Sequence, residues 1–213
     1  MAPRTPIRAV LWDFGGVLTT SPFEAFNRYE AQARLPHNFI RTLNSVNSEA
    51  NAWARLERGE LSIPQFCTAF EAEAAGAGQK VKGTAVLGCV RGELRQEMVN
   101  ALRAISKRYK TACLTNNFGS REDTSRDSGT MQDVMSLFDM VIESSKLGVR
   151  KPEPEFYQRA CDMLQIKPNE AVFLDDLGIN LKPARAMGMQ TIKVICPRQA
   201  LSDLGTCLGH NVT

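Results

Sequence analysis

The chain has 213 residues, 43% of them hydrophobic, and its 26 lysines and arginines exceed its 23 aspartates and glutamates by three. That length can bury a large core, and its basic residues are scattered rather than gathered into a stripe, which argues against a nucleic-acid partner. The six cysteines include no CxxC pair, so neither a thiolate metal site nor a disulfide framework is indicated, and they read as reduced thiols of a cytoplasmic protein.

The first apolar run, "IRAVLWD", stops at Asp13 and is followed by Gly15 and Gly16. It is short and rich in β-formers, as a strand buried in a parallel sheet is, and it is too short for a signal-peptide core or a membrane span. Residues 19–92 have a different texture. "SPFEAFNRYEAQARL", "FIRTLNSVNSEANAWARLERGE" and "SIPQFCTAFEAEA" each carry helical periodicity, with Gly59 as a stop and Ser62 before Pro64 as a new start. His37 in this block, like His210 near the end of the chain, reads as a surface residue, and Trp53 and Phe66 read as core.

"ELRQEMVNALRAISKRYK" follows as one helix, placing Leu94, Met98, Leu102 and Ile105 on one face and closing on Lys107, Arg108 and Lys110, where cations favour a helix C-terminus. "YKTACLTNN" reads as a strand ending at Thr115. The polar stretch 118–130 reads as a surface loop whose Arg121 and Arg126 could hold an anion. "FDMVIE" is a weaker strand, "EPEFYQRACDMLQI" a helix, "EAVFLDD" a strand ending at Asp175, and "LKPARAMGM" a helix stopped by Gly188. "MQTIKVI" is the last candidate strand, and no internal repeat is present.

Strands alternating with helices predict an α/β fold, with a parallel sheet between helical layers in a Rossmann-like three-layer core. Residues 1–18 and 93–213 are assigned to that core and residues 19–92 to an inserted helical cap. Ligands of open α/β sheets bind beyond the carboxyl ends of the strands, so Asp13, Thr115 and Asp175 should converge in space. Each has an ordinary alternative: Asp13 as a turn residue, "LTNN" as an Asx-rich turn, "LDD" with Asn180 as the cap of the next helix.

Taken together and in order, "VLWDFGGVL", "CLTNN", "GVRKPEPEFY" and "VFLDDLGINLKPARAMGM" resemble the four motifs of the haloacid dehalogenase-like hydrolase superfamily, and "RLERGELSIPQF" resembles its cap segment. The nearest likeness is to proteins related to the N-terminal phosphatase domain of soluble epoxide hydrolase. The resemblance implies that Asp13 is a nucleophile that accepts a phosphoryl group, that Lys151 supplies a positive charge, and that Thr115 and Asn116 hold phosphoryl oxygens. It further implies Mg²⁺ held by Asp13, the Gly15 carbonyl and Asp176, with Asp175 either beside the ion or paired with Lys151. Hard oxygen donors of this kind suit Mg²⁺. Gly15 and Gly16 are expected to admit a phosphate close to the backbone.

One position departs from the pattern. Most phosphatases of the superfamily carry a second aspartate two residues after the nucleophile, where this chain has Gly15. Loss of a general acid or base costs about 10²–10⁴-fold in rate. Three readings therefore stand: a Mg²⁺-dependent phosphatase acting on a small phosphorylated substrate, a metal-independent 2-haloacid-type dehalogenase, and a catalytically weak phosphate-binding protein. Neither a nucleic acid nor a membrane is expected as a partner, and the sequence carries no signal of oligomeric state.

Overall fold

A computed structural model describes residues 5–117 and 128–212 of the chain, residues 128–130 by their backbone. Its centre is a five-stranded parallel sheet in the order β3-β2-β1-β4-β5. The strands are β1 (Ala9–Trp12), β2 (Lys110–Thr115), β3 (Met140–Glu143), β4 (Ala171–Asp175) and β5 (Gln190–Lys193). Every residue of β1 is fully buried. A central strand covered on both faces must be apolar throughout, which is why "AVLW" does not alternate.

Eleven helices are described: α1 (Pro22–Gln32), α2 (Phe39–Ser45), α3 (Ala52–Glu57), α4 (Ile63–Gly76), α5 (Gly83–Gly88), α6 (Gln96–Ile105), α7 (Ser128–Met135), α8 (Ser144–Leu147), α9 (Pro154–Leu164), α10 (Gly178–Ala186) and α11 (Pro197–Leu208). Alternate strand residues feed two cores. Val10, Trp12, Cys113 and Leu174 pack with Leu102 of α6 and Leu204 of α11, whereas Leu11, Leu114 and Phe173 pack with Phe156 and Tyr157 of α9 and Leu181 of α10. The result is a three-layer α/β core, as the strand–helix alternation predicts.

Helices α1 to α5 lie between β1 and α6 and bury a separate cluster that includes Phe26, Leu56, Phe66 and Phe70. Trp53 packs edge-on against Phe26 and Phe66, so it and Phe66 belong to this interior. The chain leaves and re-enters the sheet region side by side, where Thr19 bridges Leu94. No helix among the described residues is long and apolar enough to cross a membrane.

Two readings of the periodicity need correction. Residues 39–60 do not form a continuous helix: Asn47 takes a left-handed φ of 47°, and Asn51 caps α3 by accepting from the Ala54 amide while donating to the Asn44 and Val46 carbonyls. The asparagine side chain satisfies backbone groups that a continuous helix would pair internally, so the helix restarts there. The second correction concerns the cations after α6. That helix ends at Ile105, and Lys110 belongs to β2, where its Nζ donates to the Leu164 carbonyl at the end of α9. It satisfies a different helix C-terminus from the one expected.

Candidate active site

β1 and β4 are neighbours, and the Asp13 amide donates to the Leu174 carbonyl across them. Crossovers run to opposite sides of β1, so a crevice opens at the carboxyl end of this strand pair. Asp13, Asp175 and Asp176 meet there, with one carboxylate oxygen from each lying within 4.8 Å of the others. Lys151, only 1% exposed, enters from the loop before α9 and places Nζ 2.8 Å from Asp13 Oδ1 and 2.9 Å from Asp175 Oδ2.

The three carboxylates have different surroundings. Asp175 is fully buried, and both its oxygens are occupied: Oδ1 accepts from the Leu177 amide and Asn180 Nδ2, and Oδ2 accepts from Asn180 Nδ2 and Lys151 Nζ. Asn180 is held in turn by α9, since Tyr157 donates its hydroxyl to the Asn180 carbonyl at 2.7 Å. "LDD" therefore builds the site rather than capping α10, whose N-cap is Leu177. Asp176 is less enclosed and accepts from the Ser21 hydroxyl at 3.3 Å. Asp13 Oδ1 accepts from the Phe14 amide and Lys151, and Oδ2 has no hydrogen-bond partner among the described residues.

Charge is unevenly compensated in this space. Burial, with Asp175 and Asp176 adding to it against the pull of Lys151, pushes the Asp13 carboxyl up to about 8. Burial and Asp175 push Asp176 up to about 6. Burial works against the Lys151 charge, but Asp13 and Asp175 outweigh it and hold its pKa above the ordinary lysine value. Among the described residues, three carboxylates facing one ammonium favour the arrival of further positive charge.

The two glycines after Asp13 play unlike parts. Gly16 has φ +77°, and a Cβ there would stand 2.2 Å from Asp176 Oδ2. Its carbonyl accepts from Arg95 Nη1 at 2.7 Å, which fixes the turn. Only glycine suits such a position. Gly15 differs: its φ is outside the left-handed region, and a Cβ would meet nothing within 4 Å, so open space adjoins it.

Thr115 and Asn116 end β2 near the same crevice. The Thr115 hydroxyl has no hydrogen-bond partner among the described residues. The Asn116 side chain, by contrast, is engaged: Oδ1 accepts from the Lys151 amide at 2.9 Å, and Nδ2 donates to the Lys151 carbonyl and to Glu57 Oε2, both at 3.0 Å. The Asn116 side chain thus holds the lysine backbone. Glu57 and Ser21 escaped the sequence reading, which took Asn180 only as part of a helix cap. Asn180 stands five residues after Asp175, so a helical turn could have suggested it, whereas Glu57 is 59 residues from Asn116 and has no local signal. Arg121 and Arg126 lie outside the described residues.

The family model for haloacid dehalogenase-like hydrolases matches residues 7–188. Among curated proteins, acyl-CoA dehydrogenase family member 10 of Mus musculus is 35% identical over 95% of this chain, and bifunctional epoxide hydrolase 2 of the same organism 32% identical over 95%. The match spans 19% of the first protein's length and 39% of the second's. Sesquiterpene phosphatase astK of Aspergillus oryzae is 27% identical, covering 96% of this chain and 95% of its own. Among solved structures, a haloacid dehalogenase family enzyme from Bacteroides thetaiotaomicron in complex with magnesium and inorganic phosphate superposes with a TM-score of 0.60 at 21% identity, covering 87% of this chain and 93% of its own. The L-2-haloacid dehalogenase of Xanthobacter autotrophicus, with chloropropionic acid covalently bound, gives 0.58 at 18% identity, covering 94% and 82%. The order of the strands, the acidic cluster at their carboxyl ends and the extent of the family match lead to one conclusion: this chain belongs to the haloacid dehalogenase-like hydrolases.

Proposed function

We propose that the chain is a Mg²⁺-dependent phosphatase that cleaves a small phosphomonoester by way of a phosphoryl group carried on Asp13. The observation that carries this reading is the gathering of Asp13, Asp175 and Asp176 around the ammonium of Lys151. Among the described residues, carboxylate oxygens in excess of nearby cations are the donor set a hard divalent ion selects. Asp13, Asp176 and the Gly15 carbonyl would hold Mg²⁺, which when bound neutralises charge on the nucleophile and on phosphoryl oxygens. Asp175, saturated by Asn180, Leu177 and Lys151, serves to orient the lysine.

In the first step Asp13 Oδ2 attacks phosphorus, a P–O bond forms, and the bond to the ester oxygen breaks with its electron pair leaving on that oxygen, which takes a proton from solvent water and departs as the alcohol. In the second, water attacks the acyl phosphate and returns the carboxylate and inorganic phosphate. Lys151 stabilises the charge on Asp13 and on the transferred group, and the Thr115 hydroxyl donates to a phosphoryl oxygen. Residues 19–92 act as the cap that selects the substrate. The sesquiterpene phosphatase, alike along nearly its whole length, and the family neighbour holding magnesium and phosphate support this assignment. The test is hydrolysis of p-nitrophenyl phosphate with Mg²⁺ and after EDTA treatment, run beside halide release from L-2-chloropropionate. Phosphate release that disappears with EDTA is expected. Halide release unaffected by EDTA, with no phosphate release, would establish dehalogenation instead.

A further inference from the structure

Glu57 is a buried carboxylate at the end of α3, in the helical insertion, with no part in the chemistry above. Its side chain takes three donors: Trp53 Nε1 at 2.9 Å from its own helix, Asn116 Nδ2 at 3.0 Å from the end of β2, and Arg150 Nε at 2.5 Å from the loop that carries Lys151. Its backbone carbonyl accepts from Ser144 Oγ at 2.6 Å. The neighbouring residues reinforce this seam. Arg58 Nη1 pairs with Glu153 at 3.0 Å, and a Cβ on Gly59 would lie 2.6 Å from the Ser145 carbonyl.

The link continues inward without a break. Asn116, held by Glu57, brackets the Lys151 backbone through both its amide and its carbonyl, and Lys151 Nζ bridges Asp13 and Asp175. Arg150, the other partner of Glu57, is the residue immediately before Lys151. A buried carboxylate bound from two directions by charged or amide donors holds those donors more rigidly than solvent could. We infer that Glu57 is a positioning residue for Lys151: through Asn116 and Arg150 the helical insertion sets where the lysine ammonium stands between the two aspartates.

This inference rests on the phosphatase reading for its kinetic consequence and on geometry alone for the link itself, so two measurements separate them. Glu57→Gln keeps the volume but cannot accept from all three donors. Amide exchange at Lys151 should rise about tenfold in this variant, while the β1 and β4 amides keep their protection. With p-nitrophenyl phosphate and Mg²⁺, kcat should fall about ten- to a hundredfold, the scale of a misplaced charge near the reacting group, with KM changed by less than about twofold. Asn116→Ala removes the middle of the link from the core side. Its kcat loss should not multiply with that of Glu57→Gln in the double variant, because both act through the same lysine. Should Glu57→Gln fold poorly, Asn116→Ala alone must show the faster Lys151 exchange and lower kcat. Unchanged Lys151 exchange overturns the inference, as does a change confined to KM, loosened exchange throughout the sheet, or fully multiplicative losses. Wild-type protein that turns over no phosphate ester counts against the phosphatase reading alone, because the Lys151 exchange still decides the link.

Discussion

The α/β core and the helical insertion bury their side chains in opposite ways. In the core, apolar strands run straight to a polar end, so that Asp13 and Asp175 follow immediately on buried Trp12 and Leu174. In the insertion, short helices enclose a knot of rings, with Phe66 and Phe70 centroids 5.3 Å apart and Trp53 5.5 Å from Phe66, and only a few polar residues leave it toward the site. Ser21 reaches Asp176, and Glu57 reaches Asn116 and Arg150. The contrast separates two kinds of vulnerability: substitutions at strand ends should remove chemistry and spare the fold, whereas substitutions among the rings should do the reverse.

The sharpest contrast is expected from Asp13→Asn. Its kcat should drop by roughly a thousandfold or more, because the attacking oxygen is gone. Thermal stability should not fall, since Lys151 keeps Asp175 and one buried charge has been removed. Steady-state kinetics and calorimetry on the same sample check both halves. Phe66→Ala should do the opposite, costing about 3–5 kcal/mol for a fully buried ring while the folded fraction retains its kcat. Equal loss of stability in both variants would dissolve the distinction between the regions.

The next effect in size belongs to Gly16→Ala. A Cβ that would stand 2.2 Å from Asp176 Oδ2 must displace that carboxylate, and the Mg²⁺ concentration for half-maximal rate should rise about ten- to a hundredfold. Gly15→Asp should be the mildest. With nothing within 4 Å of a Cβ and no left-handed φ, stability should stay within about 0.5 kcal/mol of wild type. Its signature is kinetic: the wild type should favour esters of acidic alcohols such as p-nitrophenol, and the new carboxylate should raise alkyl phosphate hydrolysis and flatten the dependence of rate on leaving-group pKa.

The core was legible because its chemistry is local in sequence. A run such as "AVFLDD" announces a buried strand and its polar end together, and parallel topology then brings the ends of β1, β2 and β4 to one side. Lys151 pairs with both Asp13 and Asp175, the second of the two places the resemblance left open for Asp175. The insertion was legible only as helix-forming sequence. The break at residues 46–51 depends on Asn51 finding the Asn44 and Val46 carbonyls, and periodicity does not encode that choice. Glu57 reads as one more surface charge on a short helix until Arg150, 93 residues away, comes to meet it. Gly15 and Gly16 look alike as a dipeptide, and only the approach of Asp176 distinguishes the glycine that the fold requires from its neighbour.

Asp13 as the oxygen nucleophile toward phosphorus is the centre of this account, and beryllofluoride tests it most directly, because it binds a carboxylate oxygen as a phosphoryl group would. Fluorine NMR of the protein with Mg²⁺ and beryllofluoride should show a bound resonance for wild type and none for Asp13→Ala, whose Lys151 and Asp175 remain paired. Equal binding by the two proteins would contradict the account and leave Asp13 outside the bond-forming step.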